Sequence, residues 1–228
     1  VPDLPADVVR AMIRQLTPPP GLAWAVVDVG GADDLFPEEN LAMARAVSRR
    51  RAEFAAGRRA ARQAMAQLGL PAAAIPMGAD RAPAWPGGVV GSISHAGALG
   101  VAVVARAGTF RSLGVDLEHD APLDADLIAE ICRPEELAAV PPEARGMQAT
   151  RLFSAKEAAY KAHYPLVRRI YGFHGLSVDL AQGRARFTDH PEVASFPPDS
   201  RADLLLWQAV GGGHVLSLSA VPAPASLR

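Results

Sequence analysis

The sequence predicts an α+β fold made of two sub-domains of similar plan, with room for a site at their junction. Three observations carry this. A strand, a helical section and further strands follow one another twice along the 228 residues, with a seam around residues 106–113. The second set closes in short runs that read as antiparallel strands, the last two joined at Gly211-Gly212-Gly213. Half of the residues are hydrophobic, enough for the core of one large domain or two small ones. No residue-level repeat accompanies the symmetry, which is a likeness of plan alone. The expected division is 1–109 for the N-terminal half and 110–228 for the C-terminal half.

Taken in order, residues 3–16 suit a short helix, closed by Thr17-Pro18-Pro19-Pro20. Residues 22–29 (LAWAVVDV) are apolar and β-branched, a strand that ends at Gly30-Gly31. Phe36-Pro37-Glu38-Glu39 opens a helix, because Pro and acids belong in a first turn where N–H groups are unpaired and the dipole is positive. That helix is expected over 38–67, with an interruption near Gly57, and stops at Gly69. Residues 82–88 (APAWPGG) are extended and turn-rich. Strands follow at 89–95 and 99–105, joined at Ala96-Gly97, and then at 113–118. Residues 124–140 read as helical with a break at Arg133-Pro134. A second long helix runs over about 146–164, where Pro165 is expected to stop it. The closing strands are 176–180, 184–187, 204–210 and 214–220, and the tail at 222–228 is expected to be loose.

Composition narrows the function. A net charge of −1 excludes whole-molecule attraction to nucleic acid or an anionic membrane, so an anion site has to be a local basic cluster. No block of aromatic residues offers a stacking surface for nucleic acid. The single cysteine, Cys132, rules out an internal disulfide and reads as a small core residue. No run reaches the ~18 apolar residues of a membrane span. The N-terminus lacks the basic-then-apolar pattern of a secretory signal, though a first residue other than Met leaves room for trimming; the expectation is a cytoplasmic protein.

Four constellations could carry chemistry. Asp116 and Glu118 lie two apart on a strand, so their carboxylates point to one side, an arrangement suited to Mg²⁺ or to a solvated strand end. Glu157 and Lys161 lie four apart on the second long helix and share a face. In isolation that is an ordinary salt pair of ~0.2–0.5 kcal/mol. Lys156 and Tyr160 form a second such pair, roughly 100° round the helix. Ser154-x-x-Glu157 spells a capping box, but helix-compatible sequence continues upstream of it, so that reading is set aside. Ser94 and His95, in GSISH at 91–95, sit at a strand end where they can meet phosphate oxygens; a hydrolase elbow would need a glycine where His95 stands. Arginines crowd residues 49–62, with Arg51, Arg58 and Arg62 on one face and Arg50 beside them. That face is either solvated or a phosphate site, since guanidinium groups recognise phosphate in a planar, bidentate manner. Walker loops, G-x-G-x-x-G turns, H-E-x-x-H and paired-cysteine zinc motifs are absent from the sequence.

The order of these signals is more specific than any one of them. GVDLE at 114–118 followed by FSAKEAAYKA at 153–162 resembles the signature pair of Sfp-type 4′-phosphopantetheinyl transferases. RRRAEFAAGR at 49–58, APAWP at 82–86 and GSISH at 91–95 resemble the blocks of the subgroup that contains enterobactin synthase component D. The resemblance implies a monomer of two pseudo-symmetric halves with coenzyme A in the cleft between them. It implies Mg²⁺-dependent transfer (with Mn²⁺ as the alternative ion) of the phosphopantetheine arm to a serine of an apo acyl, peptidyl or aryl carrier protein. Adenosine 3′,5′-bisphosphate is then released, in the service of secondary-metabolite or siderophore synthesis. By the same resemblance Asp116, Glu118 and Glu157 are the metal ligands, Glu157 also the base, and Lys161 the cation on the transferring phosphate. Arg50, Arg58, Arg81, Ser94, His95 and Lys156 join Lys161 as coenzyme A contacts. The sequence departs from the family at Asp80-Arg81-Ala82, where basic residues and a glycine are common. The alternative is a non-catalytic coenzyme A- or nucleotide-binding module, which loss of Asp116, Glu118, Glu157 or Lys161 would have favoured; all four are present.

Overall fold

A computed structural model describes residues 5–224. In chain order these form α1 (Ala6–Gln15), β1 (Ala23–Asp28), α2 (Pro37–Met43), α3 (Ser48–Gln67), β2 (Val89–Ala96), β3 (Leu99–Arg106) and β4 (Phe110–His119). There follow α4 (Ala125–Ile131), α5 (Arg145–Val167), β5 (Leu176–Asp179), β6 (Arg184–Phe187), α6 (Pro191–Ala194), β7 (Leu204–Gly211) and β8 (His214–Pro222). The strands make two antiparallel sheets, one in the order β1-β3-β2 and one in the order β4-β8-β7-β6-β5. The expected α+β class holds.

The two sheets repeat one path. A first strand (β1 or β4) is followed by a long helix (α3 or α5) and then by a hairpin (β2–β3 or β7–β8). The hairpin's second strand lies next to the first strand of its own set. Each long helix packs on its own sheet. The second set adds α4 and the β5–β6 pair, which extend its sheet beyond β7.

The sheets meet along two strand edges, β2 and β4. A free edge leaves backbone N–H groups without partners. Here serine hydroxyls take them: the Val115 N–H donates to Ser92 Oγ at 3.0 Å and the Leu117 N–H to Ser94 Oγ at 3.2 Å. Behind this seam a shared core gathers Val101 and Val103 from β3, Val115 and Leu117 from β4, Leu216 and Leu218 from β8, and Val9 and Met12 from α1. At ~25 cal/mol per Å² of apolar area removed from water, this burial outweighs anything the exposed ion pairs contribute.

Three expectations about the elements change. The predicted helix over 38–67 is two helices, broken between Met43 and Ser48, where Val47 is extended (φ −64°, ψ 152°). Gly57 is not the break. It lies inside α3, where a Cβ would come within 2.7 Å of Ile93 Cγ2, so its bare Cα lets the helix lie close on β2. Pro165 does not stop α5, which continues to Val167 and ends on Arg168 in the left-handed region (φ 52°). A proline two residues before a helix end strains a single turn and leaves only a few following residues to be displaced, so the cost is local and the helix runs on to Val167. Residues 3 and 4 of the predicted first helix, and 225–228 of the tail, lie outside the described residues; Pro222 is still in β8.

The β7–β8 hairpin turns on Gly212 and Gly213, both with positive φ (58° and 72°), between the paired Gly211 and His214. A two-residue turn of that hand needs two such residues, which is why glycines occupy it. Among the described residues no helix is long and apolar enough to cross a membrane.

Candidate active site

A cleft of about 850 Å³ opens between the two halves beside the serine seam. α3, β2 and the loop before β2 form one wall; β4 and α5 form the other. Alternation along β4 sends Val115 and Leu117 into the core and turns Asp116 and Glu118 to the cleft, as the spacing predicted. Gly114 brings α5 onto this strand: a Cβ there would lie 1.8 Å from the Ala158 carbonyl oxygen, an impossible contact. The bare glycine therefore sets how near Glu157 and Lys161 come to the β4 acids.

The acids share too little positive charge. Asp116 is 2% exposed. Its Oδ1 accepts from Lys161 Nζ at 2.6 Å and from Ser94 Oγ at 3.3 Å, while its buried Oδ2 has no partner. Burial pushes the Glu118 carboxyl up to about 7, with the charges of Asp116 and Glu157 adding to the effect and Lys161 opposing it. Glu157 is also raised, first by burial; Lys161 counters this and Asp116 adds to it. Three carboxylates around one ammonium and an orphaned oxygen make an all-oxygen donor set whose chemistry fits a hard divalent cation. In position they have not converged: among the described residues no three His, Cys, Asp or Glu side chains are arranged to hold a metal ion.

The opposite wall is basic. Arg58 is 6% exposed, donates from Nε to the Ile75 carbonyl at 2.8 Å and lies 3.8 Å over the Phe54 ring. Burial brings its guanidinium down to about 10. Arg50 Nη1 lies 3.1 Å from His95 Nε2, and Glu53 stands 3.5 Å from that arginine. Burial lowers His95, so its ring is largely neutral at pH 7. Arg81 lines the cleft from the preceding loop. Ser94 lines it too, but its hydroxyl is engaged in the seam and on Asp116.

The rest of the arginine cluster does something else. Arg51 bonds Asp33 and Asn40, Arg59 bonds the Asp28 and Ala32 carbonyls, and Arg62 bonds Glu39 and the Asp34 carbonyl. They strap residues 28–40 onto α3, with Glu39 fully buried at the centre and accepting the Ile75 N–H as well. The predicted shared face of Arg51, Arg58 and Arg62 thus divides, and only Arg58, with its neighbour Arg50, belongs to the cleft wall.

Lys156 requires a correction. The resemblance makes it a ligand contact, but its side chain is 1% exposed, and its ammonium donates to Glu136 Oε2 at 2.7 Å and to the Ile131 carbonyl at 2.8 Å. It turns into the core of the second half, as expected of a residue on a different helical face from Lys161. Ser154 lies mid-helix and donates to Ser217 Oγ, so no capping box exists there. Cys132 is buried and its thiol is pushed up to about 11 by burial, which fits a core residue.

Sequence reasoning missed Glu53, Asp80, Tyr164 and Arg168 as cleft residues. Glu53 carried only the signal of a helix pair with Arg49. Tyr164 and Arg168 lie one turn apart at the end of α5, and Asp80 reaches them only by the approach of the two halves. Trp85 also lines the cleft, against a Gly91 whose Cβ would meet its ring at 2.6 Å.

Comparison with known proteins fits this geometry. Residues 37–105 match the family model described as the 4′-phosphopantetheinyl transferase N-terminal domain, and residues 112–217 match the 4′-phosphopantetheinyl transferase superfamily. The chain is 38% identical over 218 residues to the 4′-phosphopantetheinyl transferase Svp of Streptomyces mobaraensis, covering 90% of this chain and 81% of that protein. It is 43% identical over 143 residues to PptT of Mycobacterium tuberculosis, covering 60% of this chain and 62% of the relative. Against enterobactin synthase component D of Escherichia coli O157:H7 the match is 38% over 118 residues, 50% of this chain and 55% of that one. Svp aligns almost end to end and the enterobactin component only in part. The chain belongs to the Sfp-type 4′-phosphopantetheinyl transferase family, enzymes that move the 4′-phosphopantetheine arm of coenzyme A onto carrier proteins.

Proposed function

We propose that the cleft is the active site and that coenzyme A lies across it, with its phosphates between the two walls. The observation that carries this is the meeting of Asp116, Glu118, Glu157 and Lys161 opposite Arg50, Arg58 and His95 around one cleft. Each group was ordinary alone; facing one another they match what a pyrophosphate and a 3′-phosphate require. The two halves, divided near residues 109 and 110, supply one wall each.

In this reading Asp116, Glu118 and Glu157 hold Mg²⁺, or Mn²⁺ in its place. The cation, when bound, neutralises charge on the pyrophosphate. Glu157 takes the proton of the carrier serine as its oxygen bonds to the phosphorus that bears pantetheine. The bond from that phosphorus to the adenosine bisphosphate breaks, and Lys161 stabilises the charge on the departing group. Arg50, Arg58, Arg81 and His95 hold the phosphates, with Ser94 fixing Asp116. Lys156 has no contact with ligand.

The partial likeness to enterobactin synthase component D supports a carrier of siderophore or other secondary metabolism and membership of that subgroup; we propose further that the chain acts as a cytoplasmic monomer. The test is mass spectrometry on a panel of apo carriers incubated with coenzyme A and Mg²⁺. Modification adds about 340 Da, the size of the transferred arm. Glu157→Gln keeps the shape and removes the charge, so it is expected to cost at least ~10²-fold in rate with folding intact. Full turnover in that variant would overturn the metal and base assignments.

A further inference from the structure

Two unusual backbones meet on one carboxylate at the mouth of the cleft. Among the described residues, Arg81 (φ 67°) and Arg168 (φ 52°) are the non-glycine residues in the left-handed region. Such a conformation is costly without a glycine and persists where neighbours enforce it, often at ligand clamps. Arg81 belongs to the first half and Arg168 closes α5 in the second. Asp80 touches the surroundings of both.

On its own side, Asp80 Oδ1 accepts the Ala82 N–H at 3.1 Å. The Arg81 N–H bonds the Gly78 carbonyl at 2.9 Å and the Gly78 N–H bonds the Ala82 carbonyl at 2.8 Å, so the turn is tied at both ends. Gly78 is bare for this reason, since a Cβ would stand 2.7 Å from Asp80 Oδ1. Across the cleft, Asp80 Oδ2 accepts from Tyr164 Oη at 3.0 Å and from Arg168 Nη1 at 2.6 Å. Asp80, Arg81, Tyr164 and Arg168 all line the cleft. One carboxylate set against two cleft-lining arginines, Arg168 bonded to it and Arg81 beside it in the chain, leaves the mouth net positive, which suits an entering anion.

We propose that Asp80 is a positioning residue whose carboxylate clasps the Arg81 loop to the last turn of α5 and so presents Arg81 and Arg168 to the phosphates of coenzyme A. This rests on the reading that coenzyme A occupies the cleft. It also gives a use to the point where the sequence departs from its family, Asp80-Arg81-Ala82. The clasp acts on capture of the substrate; it touches neither the acids nor Lys161, so it leaves the chemical step alone.

Calorimetric titration with coenzyme A, together with steady-state kinetics on a carrier, tests it. Asp80→Asn can still accept the Ala82 N–H but faces Tyr164 and Arg168 without a charge. It is expected to raise Kd and KM for coenzyme A about five-fold, the upper end for a solvent-exposed ion pair, with kcat within two-fold of the parent. Arg168→Gln weakens binding as well, Arg168→Lys restores most of it, and the double variant D80N/R168Q binds no more weakly than R168Q. Parent-like coenzyme A affinity in D80N would overturn the clasp. So would a fall in kcat without a change in KM, or losses that multiply in the double variant. Arg58→Ala, on α3 and outside the clasp, separates the two readings. If it weakens coenzyme A while D80N does not, only the clasp falls; if neither matters, coenzyme A is not in the cleft and both readings fall.

Discussion

Two lysines of the same helix hold carboxylates in opposite ways. The side chains of Lys156 and Glu136 are each 1% exposed, and both carboxylate oxygens have partners: Glu136 also accepts the Arg133 N–H at 2.8 Å and the Val178 N–H at 2.7 Å. The side chains of Lys161 and Asp116 are 29% and 3% exposed, and one Asp116 oxygen is left without a partner. A sealed pair in which the ammonium and both carboxylate oxygens have partners is a structural clamp, here between α5, β5 and the turn after α4. A pair that opens on a cleft and leaves a buried acceptor unmet is poised to exchange partners. Residue type does not tell the two apart; surroundings do.

The largest effect should come from breaking the sealed pair. Lys156→Ala leaves Glu136 buried without its ammonium and is expected to cost about 3–5 kcal/mol of unfolding free energy. Denaturant unfolding measures this, and K156M/E136L should recover much of the loss because both charges go together. A K156A protein of unaltered stability would show that the pair is not a clamp.

Opening the cleft pair should shift the loss from stability to turnover. Lys161→Ala is expected to lower kcat about 10²–10³-fold, the range for removing one donor to developing charge, with a smaller stability loss than K156A. Single-turnover transfer to a carrier checks it. If the two lysine variants lose stability equally and both keep their turnover, the contrast between the pairs is wrong.

The smallest effect is a pH slope. Glu118 rises from an ordinary 4.5 to about 7 in the folded state. Between those values the folded chain keeps a proton that the unfolded chain releases, so stability falls as pH rises through the window. After discounting for partial solvation the swing is on the order of 1–2 kcal/mol. Thermal melts from pH 4.5 to 7.5 in chelator should show the decline, and Glu118→Gln should flatten it. An identical slope in that variant would assign the effect elsewhere.

Much of the fold was readable because local rules decide it. Strand alternation at Asp116 and Glu118, first-turn acids after Pro37 and the glycine hairpin at Gly212-Gly213 each follow from nearest neighbours in the chain. The misreadings came where distant parts intervene. Gly57 looked like a helix break, but its bare Cα is required by Ile93 on another element. The face of Arg51, Arg58 and Arg62 looked uniform, but the segment 28–40 claims Arg51 and Arg62 from outside the helix. Lys156 read as part of a ligand-binding motif because the motif is written along the chain, whereas its acid, Glu136, comes from another segment.

By itself the sequence determined the α+β class, the strand and helix order, and the family, since all three are written in periodicity, turn chemistry and the order of GVDLE and FSAKEAAYKA. Only the tertiary structure decided which charged groups are clamps and which are free to meet a ligand. Burial and the count of hydrogen-bond partners fix that choice, and both depend on how closely two halves distant in sequence approach. At Gly114 that approach is set by the absence of a single carbon atom.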